Sequence, residues 1–210
     1  VEKRVMKMKK KTIKKRILAG LLAFSLIVPA NVAGAKTQTV LETNVTEASE
    51  GCTLVGVYGS YFAQAKEALA KINEIRKEAC EAGNIRDPRN SGRYLQPSDY
   101  VPLKWSSDLE YIARIRAAEA GIAFRFMDSG HDRLNEKGTF SIGSNGITSS
   151  SEDLAYYYVK DMIEGVLLWY SEKQYWVKQD FSEETRHYTS MINPKYTHVG
   201  FGGFYSEAAP

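Results

Sequence analysis

Cysteine and histidine are scarce in this chain of 210 residues, and that scarcity removes several chemistries. The two cysteines, Cys52 and Cys80, have no second pair near either of them, which argues against a structural zinc site built on thiolates. They could form one disulfide in an oxidising compartment. Cys52 follows Glu50-Gly51 and stands far from the apolar run Ile17 to Pro29, which is not a lipoprotein context. A catalytic thiol is disfavoured, because both cysteines lie far in sequence from His131, His187 and His198, the three histidines. The chain has no G-x-S-x-G elbow, and no aspartate is placed to orient a base for Ser171 or Ser190. It has no H-E-x-x-H motif, no internal repeat and no low-complexity segment.

Long uncharged runs are also rare. The exception is Ile17 to Ala35, which follows Lys7, Lys9, Lys10, Lys11, Lys14, Lys15 and Arg16. A basic start, a short apolar stretch and the small residues Ala33-Gly34-Ala35 predict a secretory signal peptide over residues 1–35, with Lys36 as the mature start. A membrane anchor is the competing reading, but Pro29 and Asn31 interrupt a run that barely reaches the ~20 apolar residues a span needs. The chain carries 28 basic and 25 acidic residues, a net of +3. The leader holds nine of the former and one of the latter, so the remainder has 19 and 24, a net of −5. No basic footprint for nucleic acid survives, and no membrane span is expected in the mature chain.

What is present reads as one α+β domain. Residues 36–59 form an extended lead-in with a glycosylation sequon at Asn44-Val45-Thr46. Apolar residues Ala65, Leu69, Ile72, Ile75 and Ala79 predict a helix from about Ser60 to Ala82, closed by Gly83. A polar loop follows to Pro102. Ser107-Asp108-Leu109-Glu110 is a capping box opening a helix to about Phe124. Residues 128–148 read as loop, and Ser149-Ser150-Ser151-Glu152 reads as the start of another helix. A longer helix is expected over Met162 to Lys178. Alternation at Tyr188, Ser190 and Ile192, a turn at Asn193-Pro194, and the β-rich stretch Thr197 to Tyr205 predict a terminal hairpin. Helices first and strands last argue for α+β rather than alternating βαβ units.

His131 lies in a glycine-flanked loop, and His187 opens the first expected tail strand. Glu152 and Glu172 are the carboxylates between them. Each has a plain structural reading: Glu152 as a helix cap, Glu172 as a solvated helix residue, His131 as a loop-ordering group and His187 as a cross-strand hydrogen-bonding group.

The order of short motifs changes the balance. Asn73-Glu74-Ile75-Arg76, Leu103-Lys104-Trp105, Arg116-Ala117-Ala118-Glu119, His131, Glu152-Asp153-Leu154, Trp169-Tyr170-Ser171-Glu172, His187-Tyr188-Thr189 and His198-Val199-Gly200 follow one another at sensible spacing. This succession resembles the CAP superfamily (cysteine-rich secretory, antigen-five and pathogenesis-related) over roughly residues 60–205. The resemblance implies a three-layer α/β/α sandwich with a mainly antiparallel central sheet over residues 60–210. It implies an open cleft carrying His131, Glu152, Glu172 and His187, with Tyr188 and Ser190 beside them. His131 and His187 would ligate a divalent cation, zinc first, with magnesium or calcium as alternatives. Two neutral imidazoles suit such a borderline ion, and affinity would fall below about pH 6.5 as they protonate. His198 sits in a strand motif and is left out of the site.

The expected function is a secreted or cell-wall-associated protein that binds a cation and an extracellular ligand, whether lipid, peptide or cell-surface protein. The alternative is a metal-dependent, peptidase-like hydrolase with Glu152 or Glu172 as general base. The chain departs from the family pattern in three ways. Asp153 replaces the Asn of Glu-Asn-Leu, and Met191-Ile192 replaces the usual aromatic after the signature. The sequence also ends at Pro210, where the family continues into a further strand, so a truncated or replaced edge is expected. The lack of extra cysteines fits a bacterial branch.

Overall fold

A computed structural model of the chain describes residues 59–125, 130–133, 138–156 and 159–206. All of them belong to the unit spanning Leu41–Ala209. The expected leader and cleavage site, Asn44, Cys52 and the expected lead-in up to residue 58 lie outside the described residues.

The described chain opens with strand β1 (Ser60–Tyr61) and helix α1 (Ala65–Glu81). Ala68, Ile72, Ile75 and Ala79 form the buried face of α1 at helical spacing. Gly83, at φ +72°, is the residue past its end, where a left-handed backbone favours glycine. The helix starts with the first residue of its apolar stripe, Ala65, and not at the expected Ser60, because Ser60 and Tyr61 pair antiparallel with β8 (Phe204–Tyr205). A pairing between the two ends of the domain overrides the local pattern.

The stretch expected to be loop after α1 is ordered. Strands β2 (Arg86–Asp87) and β3 (Asn90–Tyr94) form an antiparallel hairpin, followed by a 3-10 turn at Pro97–Asp99. The Asp87 carboxylate, 1% exposed, is bound by Arg89 and Arg93. Strand β4 (Lys104–Trp105) leads into α2 (Ser107–Arg125). Its cap is Ser106, whose Oγ accepts the Leu109 amide at 3.3 Å, one residue earlier than the expected box. Strands β5 (Gly143–Ser144) and β6 (Ile147–Thr148) form a second hairpin around Asn145-Gly146, both with positive φ. That turn chemistry is legible in sequence, yet the stretch reads as loop when only its glycines are counted.

Three expectations are corrected further on. No helix begins at Ser149–Glu152; residues 151–156 are irregular, and the next helix, α3 (Met162–Tyr170), is capped by Asp161 Oδ1 accepting the Glu164 amide at 2.8 Å. The long helix breaks at Ser171-Glu172, where the Ser171 hydroxyl donates to Leu168 O at 2.7 Å, and resumes as α4 (Lys173–Lys178). The His187 segment is not a strand but helix α5 (Arg186–Ile192). Tyr188, Met191 and Ile192 are its buried residues, at steps of three and one, which is a helical face. Over six residues the two periods are hard to separate, and packing decides.

The terminal hairpin is corrected with it. Strand β7 (His198–Val199) pairs parallel with β4, Lys104 opposite His198 and Trp105 opposite Val199. The described strands thus form four two-stranded ladders, three antiparallel and one parallel. Helices α1, α3 and α5 pack together around Ile72, Ile75, Val166, Tyr188 and Ile192. Cys80 is buried in that core, and burial pushes its thiol up.

Two polar devices pin this arrangement. Asn73 of α1 exchanges two hydrogen bonds with the Leu103 backbone, at 3.0 and 2.7 Å. Arg76, 2% exposed, donates to the carbonyls of Val101, Met191, Asn193 and Tyr196. The Asn-Glu-Ile-Arg motif therefore ties α1 to the approach to β4 and to the end of α5. Glycine is required where the segment after β7 crosses α2. A Cβ on Gly200 would overlap the Glu110 amide nitrogen, and one on Gly202 would overlap the Ala113 carbonyl. No helix among the described residues is long and apolar enough to cross a membrane.

Candidate functional site

Each of the two histidines is held by a glutamate through the same ring nitrogen. His131 Nδ1 lies 3.0 Å from Glu152 Oε1, and His187 Nδ1 lies 2.6 Å from Glu172 Oε1. A carboxylate on Nδ1 fixes ring orientation and favours the tautomer with Nε2 unprotonated, the form a cation can take.

The Glu152 carboxylate is positioned by α2. Arg116, 3% exposed, binds it in fork geometry, Nε to Oε2 at 2.7 Å and Nη2 to Oε1 at 2.9 Å. The same guanidinium donates to the His131 carbonyl at 3.0 Å and to Glu119 Oε2 at 2.7 Å. Burial works against the Arg116 charge, but the Glu152 and Glu119 carboxylates outweigh it and hold the group protonated. Arg133 closes the network on Glu119 from the His131 loop and donates to Ser141 Oγ at 2.9 Å. The irregular 151–156 segment can hold Glu152 because an arginine, rather than a helix, fixes its carboxylate.

The Glu172 carboxylate owes its place to the break between α3 and α4. Its second oxygen accepts the Tyr188 amide at 3.0 Å, at the start of α5. Trp169, one turn earlier, stacks on the His187 ring with centroids 6.2 Å apart and planes at 18°. The Trp169 indole donates to Leu154 O at 3.2 Å, tying the helix to the Glu152 segment. The hydrogen bond that the His187 ring donates to Glu172 raises the His187 pKa above its ordinary value; burial opposes this and is outweighed.

Asp153 adjoins both pairs. Burial pushes its carboxyl up to about 6, Glu172 adds to the rise, and the Ser190 hydroxyl with the charges of His187 and His131 opposes it. Ser190 Oγ also lies 3.1 Å from Ser151 Oγ.

The expected cleft residues thus fall in four different settings. His131 is exposed, His187 and the two glutamates are partly buried, and Ser190 faces Asp153 and Ser151. Tyr188 is fully buried and offers the site its amide, not its ring. Its hydroxyl, among the described residues, is a buried side-chain polar atom with no hydrogen-bond partner. Sequence spacing does not single out Arg116, although Glu119 one turn on and the matching helix motif mark its face. Glu184 also escapes it: Glu172, Glu184 and His187 present ligand atoms within 4.8 Å of one another. Glu184 precedes α5 and accepts the Thr185 and Arg186 amides at 3.1 and 2.8 Å.

A cavity of about 380 Å³ adjoins these groups, between α2, residues 148–154 and the run through β7. Glu152, Asp153, Trp169 and Ser190 line it. His198 also lines this cavity, so it is not confined to a strand role.

Comparison with known proteins agrees with the motif order. Venom allergen 5 of Vespa mandarinia is 25% identical over 160 residues, covering 75% of this chain and 73% of that protein. No solved structure matches the chain. The family model described as the cysteine-rich secretory protein family, CAP, matches residues 69–208, and the chain belongs to that family.

Proposed function

We propose that the chain is a secreted CAP-domain protein that binds a divalent cation and an extracellular ligand in the cleft carrying His131, Glu152, Glu172 and His187. The observation that carries this reading is the pair of Nδ1–carboxylate contacts, which leaves Nε2 of each ring as the nitrogen for a cation. The donor set fits zinc: two imidazoles, with carboxylates behind them, and room for water or ligand in the remaining positions. Magnesium and calcium fit less well, since they prefer oxygen donors. The ligand class remains a lipid, a peptide or a cell-surface protein, met at the cell exterior or cell wall. Residues 1–35 as an export signal, 36–59 as a lead-in and 60–210 as the domain belong to the same reading. So does a three-layer α/β/α sandwich around a mainly antiparallel sheet.

Binding is favoured over hydrolysis by the state of the two glutamates. Glu152 is held in a fork by Arg116, and Glu172 accepts from His187 and from the Tyr188 amide. A general base needs a free lone pair toward its water, and these carboxylates are engaged in orienting other groups.

Metal analysis of the purified secreted protein beside the His131→Ala/His187→Ala variant tests the cation. Uptake near one ion per chain at pH 7.5, lost in the variant, is expected; equal uptake in both contradicts the reading. N-terminal sequencing of secreted material tests the leader, with Lys36 as the expected first residue.

A further inference from the structure

We propose that the cavity beside the cleft binds a protonated amine carried on a compact apolar body, with Asp153 receiving the ammonium group. The proposal does not rest on cation binding between the histidines.

Charge bookkeeping around the site leaves Asp153 over. Arg116 and Arg133 are matched by Glu152 and Glu119, and His187 faces Glu172. Asp153 is hydrogen-bonded by the Ser190 hydroxyl and feels the charges of His187 and His131, but among the described residues no salt bridge joins it to a cation. A half-buried carboxylate that no salt bridge neutralises is costly, and such groups concentrate where a ligand supplies the missing charge. The family pattern has an amide at this position, so the charge is this chain's own.

The walls decide the kind of cation. Leu109, Ile112, Ala113 and Ala117 of α2 line the cavity together with Val199 and Phe201. A metal ion would gain nothing from that hydrocarbon, whereas an organic ammonium can bury its body there and keep its N–H groups on oxygen. Asp153, Ser151 and Ser190 offer acceptors close to one another. Lys195 and His198 also line the cavity; both are exposed, and the His198 ring is engaged by Thr197 Oγ1 at 2.9 Å. At ~30 Å³ per water-sized atom, about 380 Å³ accommodates a molecule of roughly a dozen heavy atoms.

The test is calorimetric titration of the full secreted chain with 2-phenylethylamine, 2-phenylethanol and 3-phenylpropanoate, at pH 7.5 with chelator present. The amine is expected to bind at least about tenfold more tightly than the alcohol, the effect of one charge-assisted hydrogen bond in a desolvated site. The acid is expected to bind weakest. Asp153→Asn, nearly isosteric, should bring amine and alcohol to equal affinity. Ala117→Phe, which fills the cavity from α2, should abolish binding of both. Equal affinities in the unaltered protein, an amine preference that persists in Asp153→Asn, or binding unchanged by Ala117→Phe each overturns the proposal. Because chelator removes metal throughout, failure here leaves the cation reading standing, and loss of cation uptake leaves this one standing.

Discussion

His187 of α5 and Glu172, at the break between α3 and α4, lie 2.6 Å apart, and the same carboxylate holds the amide of Tyr188. One side chain therefore positions both a candidate ligand and the helix that carries it. The contact exists because the long helix expected from sequence breaks at Ser171-Glu172.

The pH dependence of cation uptake follows from that contact. The raised pKa of His187 means the ring stays protonated above its ordinary range. Cation must displace this proton, so uptake should have its midpoint above about pH 6.5, the unperturbed histidine value. The ion pair contributes stability that is complete below that value and fades as pH rises through the folded one. Glu172→Gln should move the uptake midpoint down and weaken cation affinity by about 10–100-fold, as loss of an outer carboxylate does. Zinc titrations at several pH values read both. A midpoint that does not move in the variant would show that the contact has no hold on the ring.

Asp153 gives the opposite sign. Its carboxyl is raised from 3.8 to about 6, chiefly by burial. Between those values the folded state keeps a proton that the unfolded chain has released, so stability falls as pH rises through the window. Asp153→Asn should be close to neutral at pH 4 and more stable than the parent by up to about 3 kcal/mol at pH 7.5, from ~1.4 kcal/mol per pKa unit. Urea denaturation at the two pH values measures the difference. A variant destabilised equally at both would mean that the carboxyl is held by contacts rather than strained by burial.

Arg76 joins α1 to four carbonyls in three other stretches of chain. Arg76→Met keeps the aliphatic stem but leaves those carbonyls unmatched in the core. The expected cost is about 3–5 kcal/mol, in the range for breaking a buried charged network. Thermal and urea unfolding should agree on it. A loss under about 1 kcal/mol would show that water replaces the guanidinium.

Gly202 and Gly138 form a matched test of close packing. A Cβ at Gly202 would overlap the Ala113 carbonyl, whereas one at Gly138 meets nothing within 4 Å. Gly202→Ala should cost about 1–3 kcal/mol through forced separation of the chain from α2. Gly138→Ala should be near neutral. Similar unfolding midpoints for the two variants would mean the crossing can relax.

Much of this was legible before folding. The stripe of α1, the glycine past its end, the start of α2 and the four residues His131, Glu152, Glu172 and His187 stand in the sequence as motif and spacing. What stood hidden has a common cause: it depends on partners far away in the chain. The strand at Ser60–Tyr61 exists only because Phe204–Tyr205 lies beside it. The His187 segment alternates like a strand, yet Tyr188, Met191 and Ile192 turn together into the core formed with α1 and α3.

The sequence by itself determined the family, the acidic balance of residues 36–210, and the residue types available for chemistry, because these depend on composition and order. Only the tertiary structure decided how those residues are used. It pairs His131 with Glu152 and His187 with Glu172, brings Arg116 under Glu152 and leaves Asp153, among the described residues, without a salt bridge, because burial and charge pairing arise between segments that the sequence keeps well apart.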